Sequence, residues 1–338
     1  MNCILGKRYS GLGTAHQYIT GDRAKARETI LNSILPGAKM IPVSCLCGNS
    51  GNSDKVLANI DRWGLPARSV LCSHCGLIRV DPRWDDGTYA RIYREYFWPL
   101  QVGFFDITKE RFDLSVRRAA PFAQFLKSHV NLTEKSLLEI GCSYGAGLTS
   151  LKETGAELTG YDYDERCLTY GRTFTGLDLR PGGIKEAISD RNQYDVVVLR
   201  HVLEHFLNPL EECLVLESLL KEDGVLFVEV PGIFNLNDIG NDPLMYFNVF
   251  HTFSYTLSTL TGLMTTSSLT RIYGDEKVNS LWVKGDEGEG ALWHNPKHSD
   301  EIITFFHSAE KKYKKLQHHG FVKKIKSYSQ RLKNKYKP

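Results

Sequence analysis

The chain has 338 residues, enough for two or three domains, and its 42% apolar and 24% charged content excludes wholesale disorder. Its 42 Lys and Arg against 39 Asp and Glu leave a net charge of +3, too balanced for a strongly basic nucleic-acid binder. No apolar run reaches the ~18 residues a membrane span needs, the start MNCILGKRYSGLG lacks a long apolar stretch, and eight cysteines are too few for a disulfide scaffold. The expectation is a soluble cytoplasmic protein.

In chain order, residues 1–40 read as an N-terminal helical extension, with one helix over Asp22–Leu35 stopped by Pro36-Gly37. Residues 41–82 read as a zinc-ribbon module. They hold four of the eight cysteines, as Cys45-x-Cys47-Gly and Cys72-x-x-Cys75-Gly, separated by 24 residues. Paired thiolates, each pair followed by glycine for a tight turn, suit Zn²⁺ held by Cys45, Cys47, Cys72 and Cys75. Four thiolates leave no open position, so this metal would be structural, and a reducing cytosol favours it over a disulfide. His74, inside the second knuckle, is expected to point outward. A nucleic-acid-reading ribbon is the rival, to which the mixed charge of 41–82 gives little support, and no nucleic-acid partner is expected.

Residues 83–130 read as an aromatic and helical linker: Tyr89, Tyr93, Tyr96, Phe97 and Trp98, then a helix over Thr108–Val130 that Pro121 should kink or break. Over 131–286 the pattern is strand, glycine turn, helix, repeated. SLLEIGC (136–142), ELTGYD (157–162), YDVVVLRH (194–201) and GVLFVEVP (224–231) are the strands, with helices near 146–154, 164–174 and 209–221. Such alternation predicts a doubly wound α/β fold with a parallel sheet. Two β-rich runs around Gly-Asp-Glu-Lys in 269–285 predict a closing hairpin. Residues 287–338 read as a lysine-rich helical extension (Lys311, Lys312, Lys314, Lys315, Lys323, Lys324, Lys326). This is either a solvated face or a patch for an anionic partner or membrane surface.

The segment Glu139-Ile140-Gly141-Cys142-Ser143-Tyr144-Gly145-Ala146-Gly147 follows a strand and opens a helix, where backbone must turn sharply and approach a ligand closely. A dinucleotide fingerprint would need glycine where Ser143 and Ala146 stand. Asp162, ending the next strand, is where a carboxylate accepts bonds from ribose hydroxyls.

EIGCSYGAG, YDYD, YDVVVLRHVLEHFLNP and LFVEVPG together resemble the class I S-adenosylmethionine-dependent methyltransferases over about 130–285. The resemblance implies a seven-stranded, mainly parallel Rossmann-like sheet whose seventh strand is antiparallel. It implies that Glu139, Gly141, Cys142, Ser143, Tyr144, Gly145 and Gly147 lie along the methionine part of S-adenosylmethionine. Asp162 would hold the ribose, Tyr163 would flank the adenine, and Leu199, Arg200 and His201 would close over the sulfonium end. By the same resemblance Tyr93 and Tyr96 would lid the site, against the reading that these aromatics are plain packing. Zinc-ribbon N-termini of this kind precede the domain in a group acting on sugars, glycans and related polar products.

His201, Glu204 and His205 stand at i, i+3 and i+4 just past a strand end, on one face if a helix begins there. His205 is the candidate general base and Glu204 its orienter, against the reading that both are a helix-start pair supporting the sheet edge. His251 is a second candidate. Sugar C-methyltransferases carry Glu-His where this chain has Phe250-His251, which favours oxygen or nitrogen as the methylated atom. Some quinone-biosynthesis methyltransferases bind a metal through Glu-x-x-Glu-His; here His201 takes the first position. Three functions follow. The favoured one is methyl transfer to a hydroxyl, less readily an amine, of a sugar, glycan or other small polar molecule. The others are a metal-dependent quinone or phenol O-methyltransferase, and a zinc-ribbon binding protein with a degenerate cofactor domain.

Overall fold

The computed structural model describes residues 3–11, 19–103, 107–191, 193–236, 242–285 and 293–335, without the side chains of 102 and 318–335. The lysines at 323, 324 and 326 and the boundary at 286–287 therefore lie outside what is described.

Five short strands come first: β1 (Met40–Ile41), β2 (Lys55–Ile60), β3 (Pro66–Leu71), β4 (Ile78–Val80) and β5 (Arg83–Trp84). The parallel strands follow: β6 (Ser136–Ile140), β7 (Glu157–Asp162), β8 (Asp178–Pro181), β9 (Tyr194–Arg200) and β10 (Leu220–Glu229). Last come β11 (Phe253–Ser254), β12 (Leu269–Gly274) and β13 (Asn279–Lys284). The main sheet has seven strands in the order β12-β13-β10-β9-β6-β7-β8. β13 runs antiparallel to both β10 and β12, as the 269–285 pattern predicts.

Alternation sorts the sheet's side chains into two cores. Leu137, Val196, Val198 and Phe227 face Phe122, Ala123 and Leu126 of helix Lys109–His129. Leu138, Val197, Leu199 and Leu226 face Leu216 of helix Pro209–Leu219 and Leu260 and Leu263 of helix Leu257–Met264. Burial on both faces is why β9 reads as an almost unbroken apolar run. From β6 the chain winds to β7 and β8, then returns to β9 on the other side. The carboxyl ends of β6 and β9 therefore flank the switch point, where ligands bind in open α/β sheets.

Two local expectations are corrected, and one strand is added. Helix Lys109–His129 continues past Pro121, so the chain does not break there. The lost N–H is outweighed by burial of Ala119, Phe122, Ala123 and Leu126. No α-helix begins at His201: that residue has φ of 56°, a 3₁₀ turn covers Leu203–His205, and the helix starts at Pro209. The added strand is β8, whose polar sequence DLRP carries no apolar alternation; it is a short edge strand beside β7.

The strands that flank the cysteine loops form a second sheet of order β11-β4-β3-β2, completed by Phe253–Ser254 from beyond β10. The C-terminal helix Pro296–Lys335 buries Ile302 and Phe306 against this unit. It is tied to the N-terminus through Glu310, which accepts from Arg8 and Tyr9, while Arg8 also donates to Asp242. Among the described residues no helix is long and apolar enough to cross a membrane.

Candidate active site

The loop after β6 turns on three residues in the left-handed region: Gly141 (φ 72°), Ser143 (φ 52°) and Gly145 (φ 75°). Ser143 tolerates the strained backbone that glycine would take freely, because its amide donates to Asp162 Oδ2 at 2.8 Å. Asp162 also receives the Asp164 amide at 2.8 Å, so each oxygen is anchored once and keeps a lone pair for a further donor. Burial raises the Asp162 carboxyl above its usual range.

Glu139 is buried beneath the loop, with Oε1 3.9 Å from Arg200 Nη1 and Oε2 lacking any hydrogen-bond partner. Burial pushes its carboxyl up to about 7, against the pull of Arg200. Arg200 itself is committed elsewhere: Nε donates to Glu229 Oε2 at 3.0 Å, and the guanidinium lies 4.2 Å from the Phe122 ring centroid. A buried carboxylate with one oxygen lacking a hydrogen-bond partner fits a ligand ammonium. Around it Cys142 packs on Gly160, and Tyr144 bonds Ser115 at 2.6 Å and meets Trp98 edge-on. Leu199 is buried in the sheet. Tyr163 is exposed, lies over Gly183 and donates to Glu186 at 3.3 Å.

A second cluster adjoins this crevice. His201 Nε2 is 3.6 Å from Glu229 Oε1 and its Nδ1 is 3.6 Å from Glu204 Oε1. His205 Nε2 lies 3.9 Å from the same Glu204 oxygen. His205 Nδ1 meets the Phe250 carbonyl at 2.8 Å and the Tyr93 hydroxyl at 2.7 Å. If Nδ1–H donates to that carbonyl, Nε2 is left as the basic nitrogen. Burial holds the His205 imidazole below its usual range, with Glu204 pulling it up. The His251 ring centre is 5.0 Å from that of His205. Glu204 is 1% exposed and neither of its carboxylate oxygens has a hydrogen-bond partner. Ligand atoms of Glu204, His205 and His251 all fall within 4.8 Å of one another, close enough to share a cation. Tyr96 packs half-buried in the neighbouring Trp63–Phe250 core.

The structure thus brings Glu139, the 141–147 loop, Asp162, Arg200 and His201 to one crevice, and His201, Glu204, His205, His251 and Tyr93 to its flank. Tyr163 and Tyr96 stand at the margins. Sequence reasoning missed Glu229, which bridges Arg200 and His201. Its place at the carboxyl end of a central strand was the available signal.

The four cysteine sulfurs also fall within 4.8 Å of one another. Cys45–Cys75, Cys45–Cys47 and Cys47–Cys72 are 3.5, 3.4 and 3.7 Å apart, all as free thiols. Tetrahedral zinc with Zn–S of ~2.3 Å puts sulfurs roughly 3.8 Å apart, so the set fits. Gly48 and Gly76 have φ of 78° and 81°, closing each knuckle. The Leu77 amide donates to Cys75 Sγ at 3.4 Å.

The family described as "Methyltransferase domain" matches residues 87–273, more than half of the chain. The chain belongs to this family, among the class I S-adenosylmethionine-dependent methyltransferases. It is similar to the ubiquinone biosynthesis O-methyltransferase of Nitrosospira multiformis, 26% identical over 109 residues, covering 30% of this chain and 46% of that protein. The enzyme of the same name from Marinobacter nauticus is 30% identical over 112 residues, covering 31% and 47%. The chain spans about half the length of these curated relatives. Among solved structures, an Archaeoglobus fulgidus SAM-dependent methyltransferase has a TM-score of 0.38 and 19% identity, over 45% of this chain and 69% of that one.

Proposed function

We propose that this protein transfers a methyl group from S-adenosylmethionine to a hydroxyl, less readily an amine, of a sugar, glycan or related polar metabolite. The buried carboxylate of Glu139, beneath a glycine loop anchored on Asp162, carries the reading: its Oε2 has no hydrogen-bond partner and its nearest cation is 3.9 Å from Oε1, which leaves room for the cofactor's ammonium. Bound there, S-adenosylmethionine supplies a methyl group activated by its sulfonium.

The chain's own work is alignment and proton removal. Asp162 has a free lone pair on each oxygen for the ribose hydroxyls, and the 141–147 loop holds the rest. His205, its Nδ1–H directed to the Phe250 carbonyl, offers Nε2 to the hydroxyl proton, and Glu204 steadies the imidazolium that forms. The Tyr93 hydroxyl meets the same Nδ1 at 2.7 Å and helps to fix the ring. Incubation with labelled cofactor against a panel of sugar nucleotides, glycans and quinols tests the reading. Label should move to a hydroxyl of the polar class, and label moving only to quinols would replace it.

A second reading, metal-assisted O-methylation of a quinol or phenol, draws on the Glu204, His205 and His251 cluster and on the names of the relatives. Those three residues would hold a divalent cation, which would polarise the acceptor oxygen; loss of activity on chelation, restored by Mg²⁺, would favour it. We assign the four cysteines to a structural Zn²⁺ in a ribbon over 41–82.

A further inference from the structure

Arg62 follows β2 and is drawn toward the histidine cluster by a frame of backbone bonds. Its own amide donates to the Phe247 carbonyl at 2.9 Å, and the Val249 amide donates to Asp61 at 3.3 Å. The segment so pinned is the one that carries Phe250 and His251. The guanidinium is close enough for its charge to act on both His205 and His251.

Arg62 is partly buried, a setting in which an arginine ordinarily faces a carboxylate. Here the adjacent acid, Asp61, is fully buried and spent on the amides of Trp63 (2.9 Å), Leu65 (2.8 Å) and Val249 (3.3 Å). Arg62 itself donates once, from Nη2 to the Gln101 side-chain carbonyl at 3.0 Å, and lies 4.4 Å from the Trp63 ring centroid. Its Nε is buried with no partner. Arg23 reaches the same place and donates only to the carbonyls of Leu100 and Gln101, at 2.7 and 2.8 Å. Two guanidiniums therefore converge on Gln101, and among the described residues neither forms an ion pair with a carboxylate.

We propose that Arg62, backed by Arg23, forms the subsite for an anionic group of the methyl acceptor, a phosphate or diphosphate, held beside the His205–His251 cluster. The planar fork of a guanidinium matches phosphate oxygens, and the unused Nε is the donor such a group would take. The Trp63 face alone leaves that donor unsatisfied, so packing does not account for it. The substrate class follows: a sugar phosphate or nucleotide sugar, methylated on a hydroxyl some distance from its phosphate. This rests on the reading of the crevice as a methyl-transfer site, and the test separates the two.

The intact protein, saturated with S-adenosylhomocysteine, is titrated with inorganic pyrophosphate by calorimetry, alongside R62Q and R62K. Pyrophosphate should bind the wild type at least tenfold more tightly than R62Q, with R62K between them. S-adenosylhomocysteine affinity and melting temperature should stay near wild type in both variants. Equal pyrophosphate binding by wild type and R62Q would assign the anion to the surface lysines of the C-terminal helix and overturn the proposal. So would a parallel loss of S-adenosylhomocysteine affinity, which would give Arg62 to the cofactor's carboxylate. If R62Q does not fold, R62K decides: undiminished pyrophosphate affinity there overturns the bidentate subsite. A wild type that binds pyrophosphate but not S-adenosylhomocysteine would leave the subsite standing and remove the methyl-transfer reading instead.

Discussion

Gly147 lies against the carboxylate of Glu139 so closely that a methyl group at 147 would stand 2.7 Å from both of its oxygens. The glycine thus sets where the buried acid can be. Gly147→Ala should push the carboxylate aside at a folding cost of about 1 kcal/mol, since the far end of a side chain gives way more easily than backbone. Affinity for S-adenosylmethionine should fall at least tenfold, read by calorimetry beside a thermal melt. Unchanged affinity with unchanged stability would show that the position of Glu139 does not matter to the ligand.

The same carboxyl predicts a pH dependence. Burial pushes Glu139 up to about 7, so in the ligand-free protein it is partly protonated near neutrality. A cationic ammonium binds only the ionised form, and binding below pH ~7 must therefore expel a proton. Affinity should rise as pH rises through 7, then level until the ligand's own α-amino group begins to lose its charge near ~8. Calorimetry at pH 6.5 in two buffers of different ionisation enthalpy reads the proton released. Glu139→Gln should abolish that release, and a wild type releasing none between pH 6 and 8 would contradict the assignment.

Much of the sheet was legible because its signals are local. Apolar runs at 136–140, 157–162 and 194–200 face two cores and carry their own periodicity. The glycine loop and Asp162 were legible for the same reason. β8 was not, because an edge strand of sequence DLRP needs no apolar alternation. Nor was the dependence of the second sheet on Phe253–Ser254, a pairing across more than 170 residues of chain. The setting of His205 escaped for a related reason, since a backbone carbonyl at 250 and a hydroxyl at 93 leave no trace in the segment around 205. Nothing in the local sequence marks Arg62, since the partners that frame it lie at 101 and 247.

His205→Ala should lower turnover by about 10²- to 10⁴-fold while leaving cofactor affinity nearly unchanged, the pattern for a lost general base. Tyr93→Phe keeps the ring and removes one bond to Nδ1, so its loss should be smaller, on the order of tenfold. His251→Ala assayed in parallel decides between the two imidazoles. Near-normal turnover in all three variants would leave positioning alone as the source of rate.

The cysteine cluster predicts about one zinc per chain by metal analysis. Because Cys45, Cys72 and Cys75 are buried where the second sheet meets the main core, Cys72→Ser should cut soluble yield and lower the melting temperature. Zinc-free protein of full stability, or a Cys72–Cys75 disulfide in protein kept reduced, would refute the assignment.

The most direct test is calorimetric titration of the intact protein and of Asp162→Ala with S-adenosylhomocysteine. Asp162 already anchors the loop through the Ser143 amide and keeps one lone pair on each oxygen for the ribose. One ligand should therefore bind per wild-type chain, and the variant should lose on the order of 2 kcal/mol, some thirtyfold in affinity. A wild type that takes no S-adenosylhomocysteine, or a variant that binds it equally well, would contradict the account.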